Sequence, residues 1–144
     1  MKIHLMIRSL FFPSVILLML AITGCKKPGT GGTPNPPPTP EENIAFSFDP
    51  DPGTASAVST VDNYPYTVKV TSKLPASGVH VDHATQLDTD NSTPTYTRVS
   101  SANASISLTT AKLDPGKLYK VTVVVTSQNK SSNSQTKTFK VAKK

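Results

Sequence analysis

The sequence predicts an all-β sandwich of about seven short strands behind a long N-terminal stretch with no core of its own. From residue 43 onward, apolar side chains recur at every second position, the period of a strand with one buried face. No segment after the first 24 residues carries the apolar spacing of a helix. Thr and Val are abundant, and clusters of Pro, Gly, Asp and Asn break the runs at short intervals, as in all-β chains.

Ile44, Phe46 and Phe48 alternate with Ala45 and Ser47 in the first strand, and Asp49-Pro50-Asp51-Pro52-Gly53 ends it. Residues 55–63 leave open a loop or a short edge strand. Tyr66, Val68 and Val70 set a second clear strand, closed by a turn at 74–78. Val79, Val81 and His83 share one face of a third strand, with His80 and Asp82 on the other. Residues 87–94 read as a polar loop and 95–99 as a short strand. Ala104, Ile106 and Leu108 form another alternating set, followed by Val121, Val123 and Val125 on one parity. A polar turn at 128–134 leads to a last strand carrying Phe139 and Val141. Polar residues occupy the opposite parity throughout, so each sheet is expected to have one solvated face. The folded domain is therefore placed at 43–144.

The remaining residues have two characters. Residues 1–24 begin with basic Lys2 and Arg8 and continue as an apolar run over 10–22, interrupted only by Pro13 and Ser14. That run is shorter than the about 20 residues of a spanning helix and fits the apolar core of an export signal. Ile22-Thr23-Gly24-Cys25 ends it, and Cys25 is the only cysteine. This stretch resembles the lipobox of bacterial lipoproteins, with Ile22 where leucine is most usual. The resemblance implies cleavage before Cys25, lipid attachment to its sulfur and anchorage in a bilayer, which several acyl chains make stable. Lys26, not aspartate, follows the cysteine, which by the same resemblance implies the outer membrane, with the domain facing the periplasm or the cell surface. Residues 25–42 offer almost nothing apolar to bury and read as a disordered tether, flexible at Gly29 to Gly32 and stiffer at Pro34 to Pro40. Extended, it would span roughly 40–50 Å.

The 15 basic residues less Lys2 and Arg8 leave 13 against 9 acidic ones, a net +4 for the processed chain. They are scattered, with no basic strip interleaved with aromatics, so no nucleic-acid partner is expected. A single cysteine excludes an internal disulfide and a cysteine-based zinc site.

The C-terminal third carries Leu113, Pro115, Gly116 and Tyr119 ahead of the alternating valines. This resembles the Leu-x-Pro-Gly-x-x-Tyr segment of fibronectin type III and related immunoglobulin-like domains. The resemblance implies an immunoglobulin-like sandwich with a tyrosine corner, in which the Tyr119 hydroxyl bonds back to upstream backbone. The tryptophan usual in the second strand of such domains is missing, so Tyr66 or Val68 has to fill that volume. The same topology puts the N-terminus, residues 74–78 and residues 128–134 at one pole. Residues 49–63, 86–94 and 109–116 fall at the other, an outer acidic pole where Asp88, Asp90 and Asn91 form a candidate partner-facing loop.

Catalytic chemistry finds little material. His80 and Asp82 share a strand face while His83 points away, too few ligands for a metal. Asp88-Thr89-Asp90-Asn91 starts like a calcium loop, but Ser92 and Thr93 stand where a ligand and glycine belong. There is neither a hydrolase elbow nor a phosphate-cradling glycine loop. No cofactor is expected. The sequence reading is a non-catalytic, lipid-anchored envelope protein acting as a binding, adhesion or accessory module for a protein or glycan partner; the alternative is a structural spacer or stabilising domain without a specific ligand. Few aromatics are placed for exposure, which argues against a strong glycan platform; Tyr64 and Tyr96 are the only loop-proximal candidates for stacking on a sugar.

Overall fold

The computed structural model describes residues 39–144. Eight strands form two sheets, with no helix among the described residues. The strands are β1 (Phe46–Asp49), β2 (Ala57–Ser59), β3 (Pro65–Val70), β4 (Val79–Leu87), β5 (Thr97–Ser101), β6 (Ser105–Thr109), β7 (Leu118–Ser127) and β8 (Ser134–Lys143). The smaller sheet has the order β1-β3-β6 and is antiparallel. The larger has the order β2-β8-β7-β4-β5, antiparallel except where β2 joins β8 in parallel. The sheets pack face to face, and the all-β expectation holds.

Alternation explains the layers. Phe46, Tyr66, Val68, Val70, Ile106 and Leu108 line the inner face of the small sheet. Val79, Val81, Tyr119, Val121, Val123, Val125, Phe139 and Val141 line that of the large one. Between them Phe139 meets Phe48 at 4.9 Å and Tyr66 at 5.2 Å between ring centroids, both edge-on. That geometry is preferred by aromatic quadrupoles. Tyr66 contributes a large ring to this core, and its neighbours are Phe48, Phe139 and His83.

Three boundaries differ from the sequence expectation, and one open alternative is decided. β5 runs Thr97–Ser101 where 95–99 was expected, because its pairing with β4 begins at His83↔Thr97. The ambiguous residues 55–63 hold a three-residue edge strand, β2, recruited by the end of β8 through Ala57↔Val141 and Ser59↔Lys143. β4 continues to Leu87, into the expected polar loop, because β7 pairs with it all the way to Leu87↔Tyr119. Backbone pairing overrides polar composition there. Finally, the ordered hydrogen bonding starts at Glu41, ahead of residue 43. Asn133, 5% exposed, donates from Nδ2 to Glu41 Oε1 at 2.6 Å and to the Glu42 carbonyl at 2.8 Å, and accepts from Ile44 N at 2.8 Å.

These contacts bring the chain's entry point beside the β7–β8 turn. Gln128 N donates to the Gly78 carbonyl at 3.1 Å, joining the β3–β4 turn to the same end. At the opposite end, Leu113 N donates to Asp62 O at 2.7 Å and Asp88 N to Leu118 O at 2.9 Å. Gly78 packs a turn tightly against its neighbour. With φ of +86° it lies in the left-handed region, and a Cβ there would run into the carbonyl of Ser101.

Candidate functional site

The register of the large sheet builds a grid on its outer, solvated face. Asp82 of β4 stands between Val124 of β7 and Arg98 of β5. One step toward the entry end, His80 stands between Thr126 and Ser100. Tyr96, just before β5, continues the parity of Arg98 and Ser100 onto this face. Asp82, Tyr96, Arg98 and Val124 line an open depression of about 430 Å³. Tyr96 is 42% exposed, one of three large apolar or aromatic side chains exposed among the described residues, with Val58 and Val61.

Arg98 grips Asp82 with two parallel bonds, Nε to Oδ1 at 2.7 Å and Nη2 to Oδ2 at 2.8 Å. Such fork-to-fork pairs fix both side chains in one plane. The Asp82 side chain is only 16% exposed while that of Arg98 is 60% exposed, so the carboxylate is sunk and the guanidinium covers it. The hydrogen bond from Arg98 holds the Asp82 carboxyl below its ordinary pKa, against an opposing push from burial.

The histidines divide as their parity demands. His80 Nδ1 lies 2.8 Å from Ser100 Oγ on the outer face. This serine–imidazole pair was not visible in the sequence, because strand register alone sets the two side by side. A triad needs a third group holding the other ring nitrogen. The carboxylate in the vicinity, Asp82, has both oxygens committed to Arg98. His83 points inward, its Nδ1 3.3 Å from the Tyr66 hydroxyl. Burial lowers its pKa, with the Asp82 charge opposing, and burial raises that of Tyr66 well above the ordinary phenol range.

The far pole is not the acidic surface the sequence suggested. Asp88 is paired with Lys140 at 2.8 Å, Asp114 with Lys117 at 3.0 Å, Asp62 with Lys143 at 2.5 Å and Asp49 with Lys69 at 2.5 Å. Lys69, Lys140 and Lys143, brought in from strands and distant in sequence from their carboxylates, offset this charge, together with Lys117, which meets Asp114 locally three residues away. In the Asp88, Asp90 and Asn91 loop, Asp90 Oδ1 accepts from Ser92 N at 2.9 Å in a local turn, a bond that lowers its pKa. Among the described residues no three His, Cys, Asp or Glu side chains are grouped as metal ligands.

Of the two candidate sugar-facing tyrosines, Tyr64 is half-buried with its ring 6.0 Å from Phe139, leaving Tyr96 alone on the surface. Tyr119 is buried; its hydroxyl accepts from Asp114 N at 3.1 Å and donates to Asp114 Oδ2 at 3.2 Å. Leu113 is fully buried beneath this corner, and Pro115 bridges to Lys143 beside it. Gly116 turns the chain there with φ of +73°. Cys25 and residues 1–24, expected to be an export signal, lie outside the described residues.

Sequence reading missed three functional or anchoring groups. Arg98 sits 16 residues beyond its partner Asp82, across a loop whose length hides the pairing. Ser100 was one serine among many. Asn133 looked like ordinary turn composition, yet it is buried and saturated with hydrogen bonds. No protein-family model, curated protein or solved structure matches the chain.

Proposed function

We propose that the chain is a non-catalytic, lipid-anchored binding module of the cell envelope. Acylated Cys25 fixes it to the outer membrane, a proline-rich tether spaces it from the bilayer, and an immunoglobulin-like sandwich of fibronectin type III character engages a protein or glycan partner. The observation that carries the binding assignment is Tyr96, exposed beside the Asp82–Arg98 pair on a flat sheet face. A spacer gains nothing from an exposed aromatic there, whereas exposed aromatic and Arg groups are common anchors of recognition.

The subfamily assignment is supported by the β1-β3-β6 and β8-β7-β4-β5 strand orders and by the Tyr119–Asp114 corner. The non-catalytic assignment is supported by the exposed, open setting of Ser100 and His80. The partner surface is moved from the Asp88 loop to the sheet face, because Asp88 and Asp90 are consumed by Lys140 and Ser92.

The test is capture from detergent-solubilised envelope with the full chain as bait, comparing wild type with Tyr96→Ala. A stoichiometric protein or glycan retained by wild type and lost with Tyr96→Ala is expected. Equal capture by both, or none by either, rejects the site. Anchorage is read separately: Cys25→Ser is expected to abolish incorporation of a labelled fatty acid and to move the protein to the soluble fraction.

A further inference from the structure

We infer that the ligand of the Tyr96 face is a neutral saccharide chain, lying across strands β7, β4 and β5; this rests on the binding-module reading above. Shape comes first. The face is a shallow, open depression, not a pocket that encloses a small molecule. A flat row of three strands suits an extended ligand that is gripped along one side.

The chemistry narrows the class. Asp82 accepts one N–H on each carboxylate oxygen from Arg98, so each oxygen keeps a further acceptor direction. The guanidinium has five N–H donors and commits two of them to Asp82. The pair therefore presents acceptors and donors side by side in one plane. Vicinal hydroxyls, each both donor and acceptor, are the natural complement. Ser100 and His80 extend the polar row, and Val124 and the Tyr96 ring supply apolar surface for the C–H face of a sugar ring.

Charge excludes the alternatives. The pair sums to zero, so it exerts little pull on an ion. A phosphate or carboxylate ligand on the remaining Arg98 donors would lie beside the Asp82 carboxylate and be repelled by it, and drawing Arg98 away would break two charge-assisted bonds. A cationic ligand would have to displace the same guanidinium. A protein partner of ordinary affinity needs a desolvated apolar centre, and this patch offers one aromatic ring and one valine.

The test is titration calorimetry on the full chain in detergent, with cellohexaose and mannohexaose as neutral probes and hexagalacturonate as the charged comparator. At least one neutral hexasaccharide is expected to bind. Tyr96→Ala should weaken it about tenfold and Tyr96→Phe by no more than about threefold, since the ring surface is retained. Affinity should be unchanged between about 0.05 and 0.5 M salt, because no net charge is matched. Binding of hexagalacturonate alone, a steep salt dependence, or indifference to Tyr96→Ala overturns the inference. Silence from all three probes also overturns it. If Tyr96→Ala nevertheless loses an envelope protein in the capture experiment, the binding module stands and its ligand is a protein. If capture is unaffected as well, both readings fall.

Discussion

Tyr119 shows how one residue closes the end of a sheet. Its ring is buried in the core and its hydroxyl both accepts from Asp114 N and donates to Asp114 Oδ2. Tyr119→Phe keeps the ring and removes both bonds. A loss of about 1–1.5 kcal/mol is expected from urea unfolding, with an unchanged m-value because the buried surface is the same. Glycine positions give a sharper contrast. Gly116 and Gly78 both hold positive φ, but a Cβ on Gly116 meets open space and one on Gly78 meets the Ser101 carbonyl. Gly116→Ala should cost about 1 kcal/mol for the backbone conformation alone. Gly78→Ala adds a collision between two backbone segments and should cost about 3 kcal/mol or more. Equal costs would show that the β3–β4 turn yields more readily than its packing implies.

At the level of elements, Asn133 does what strand pairing cannot. The segment before β1 has no neighbour strand for its amides, and a buried unpaired N–H is expensive. Asn133 spends its side-chain amide on Glu41, Glu42 and Ile44, clipping the chain's entry to the β7–β8 turn. Asn133→Ala should cost about 2–3 kcal/mol and leave the Ile44 amide open. Hydrogen exchange at Ile44 should then run at least about tenfold faster while the Val123 and Val125 amides in the centre of β7 stay protected in proportion to global stability. Element positions such as this mark the limit of what is legible in the chain. Period-two alternation announces β3, β6 and β7, because one buried face writes itself into every second residue. The inward His83 and outward His80 and Asp82 follow from the same parity. What alternation cannot carry is which strands are neighbours. The partnership of Asp82 with Arg98, the neutralised outer pole and the recruitment of β2 by β8 all depend on cross-strand register, and register is fixed by contacts distant in sequence. The candidate site was legible as Tyr96 and as the shared face of His80 and Asp82; Arg98 and Ser100 beside them were not.

Among the described residues, about half of the charged side chains are paired, and the pairs shape the response to salt and to pH differently. Five ion pairs link strands and loops among the described residues, and in each at least one side chain is about half exposed or more. Exposed pairs contribute about 0–1 kcal/mol each, so added salt should shift stability little. Acid acts through groups whose folded pKa differs from the unfolded value. Burial lowers the pKa of His83. As pH falls through about 6.5 the unfolded chain takes up a proton that the folded chain refuses, and stability declines until the lowered folded value is passed. Asp62, Asp82, Asp90 and Asp114 are held low by Lys143, Arg98, Ser92 and Lys117 respectively, so their stabilisation is present above the ordinary carboxylate range and is lost below it. The two effects have the same sign and separate windows. On the alkaline side, burial raises the pKa of Tyr66, so the unfolded chain releases its phenol proton first and stability declines above about 10. Unfolding measured from pH 3 to 11 should therefore give a plateau around neutrality with a stepped acid limb. His83→Gln should erase the step beginning near 6.5 and leave the lower one in place. Tyr66→Phe should make the alkaline limb shallower and leave the smaller part that Tyr64 and Lys117, also raised, contribute. A His83→Gln profile that superimposes on wild type after a constant offset would mean that His83 is as well solvated as in the unfolded chain, and that the space between the sheets at Tyr66 is open to water.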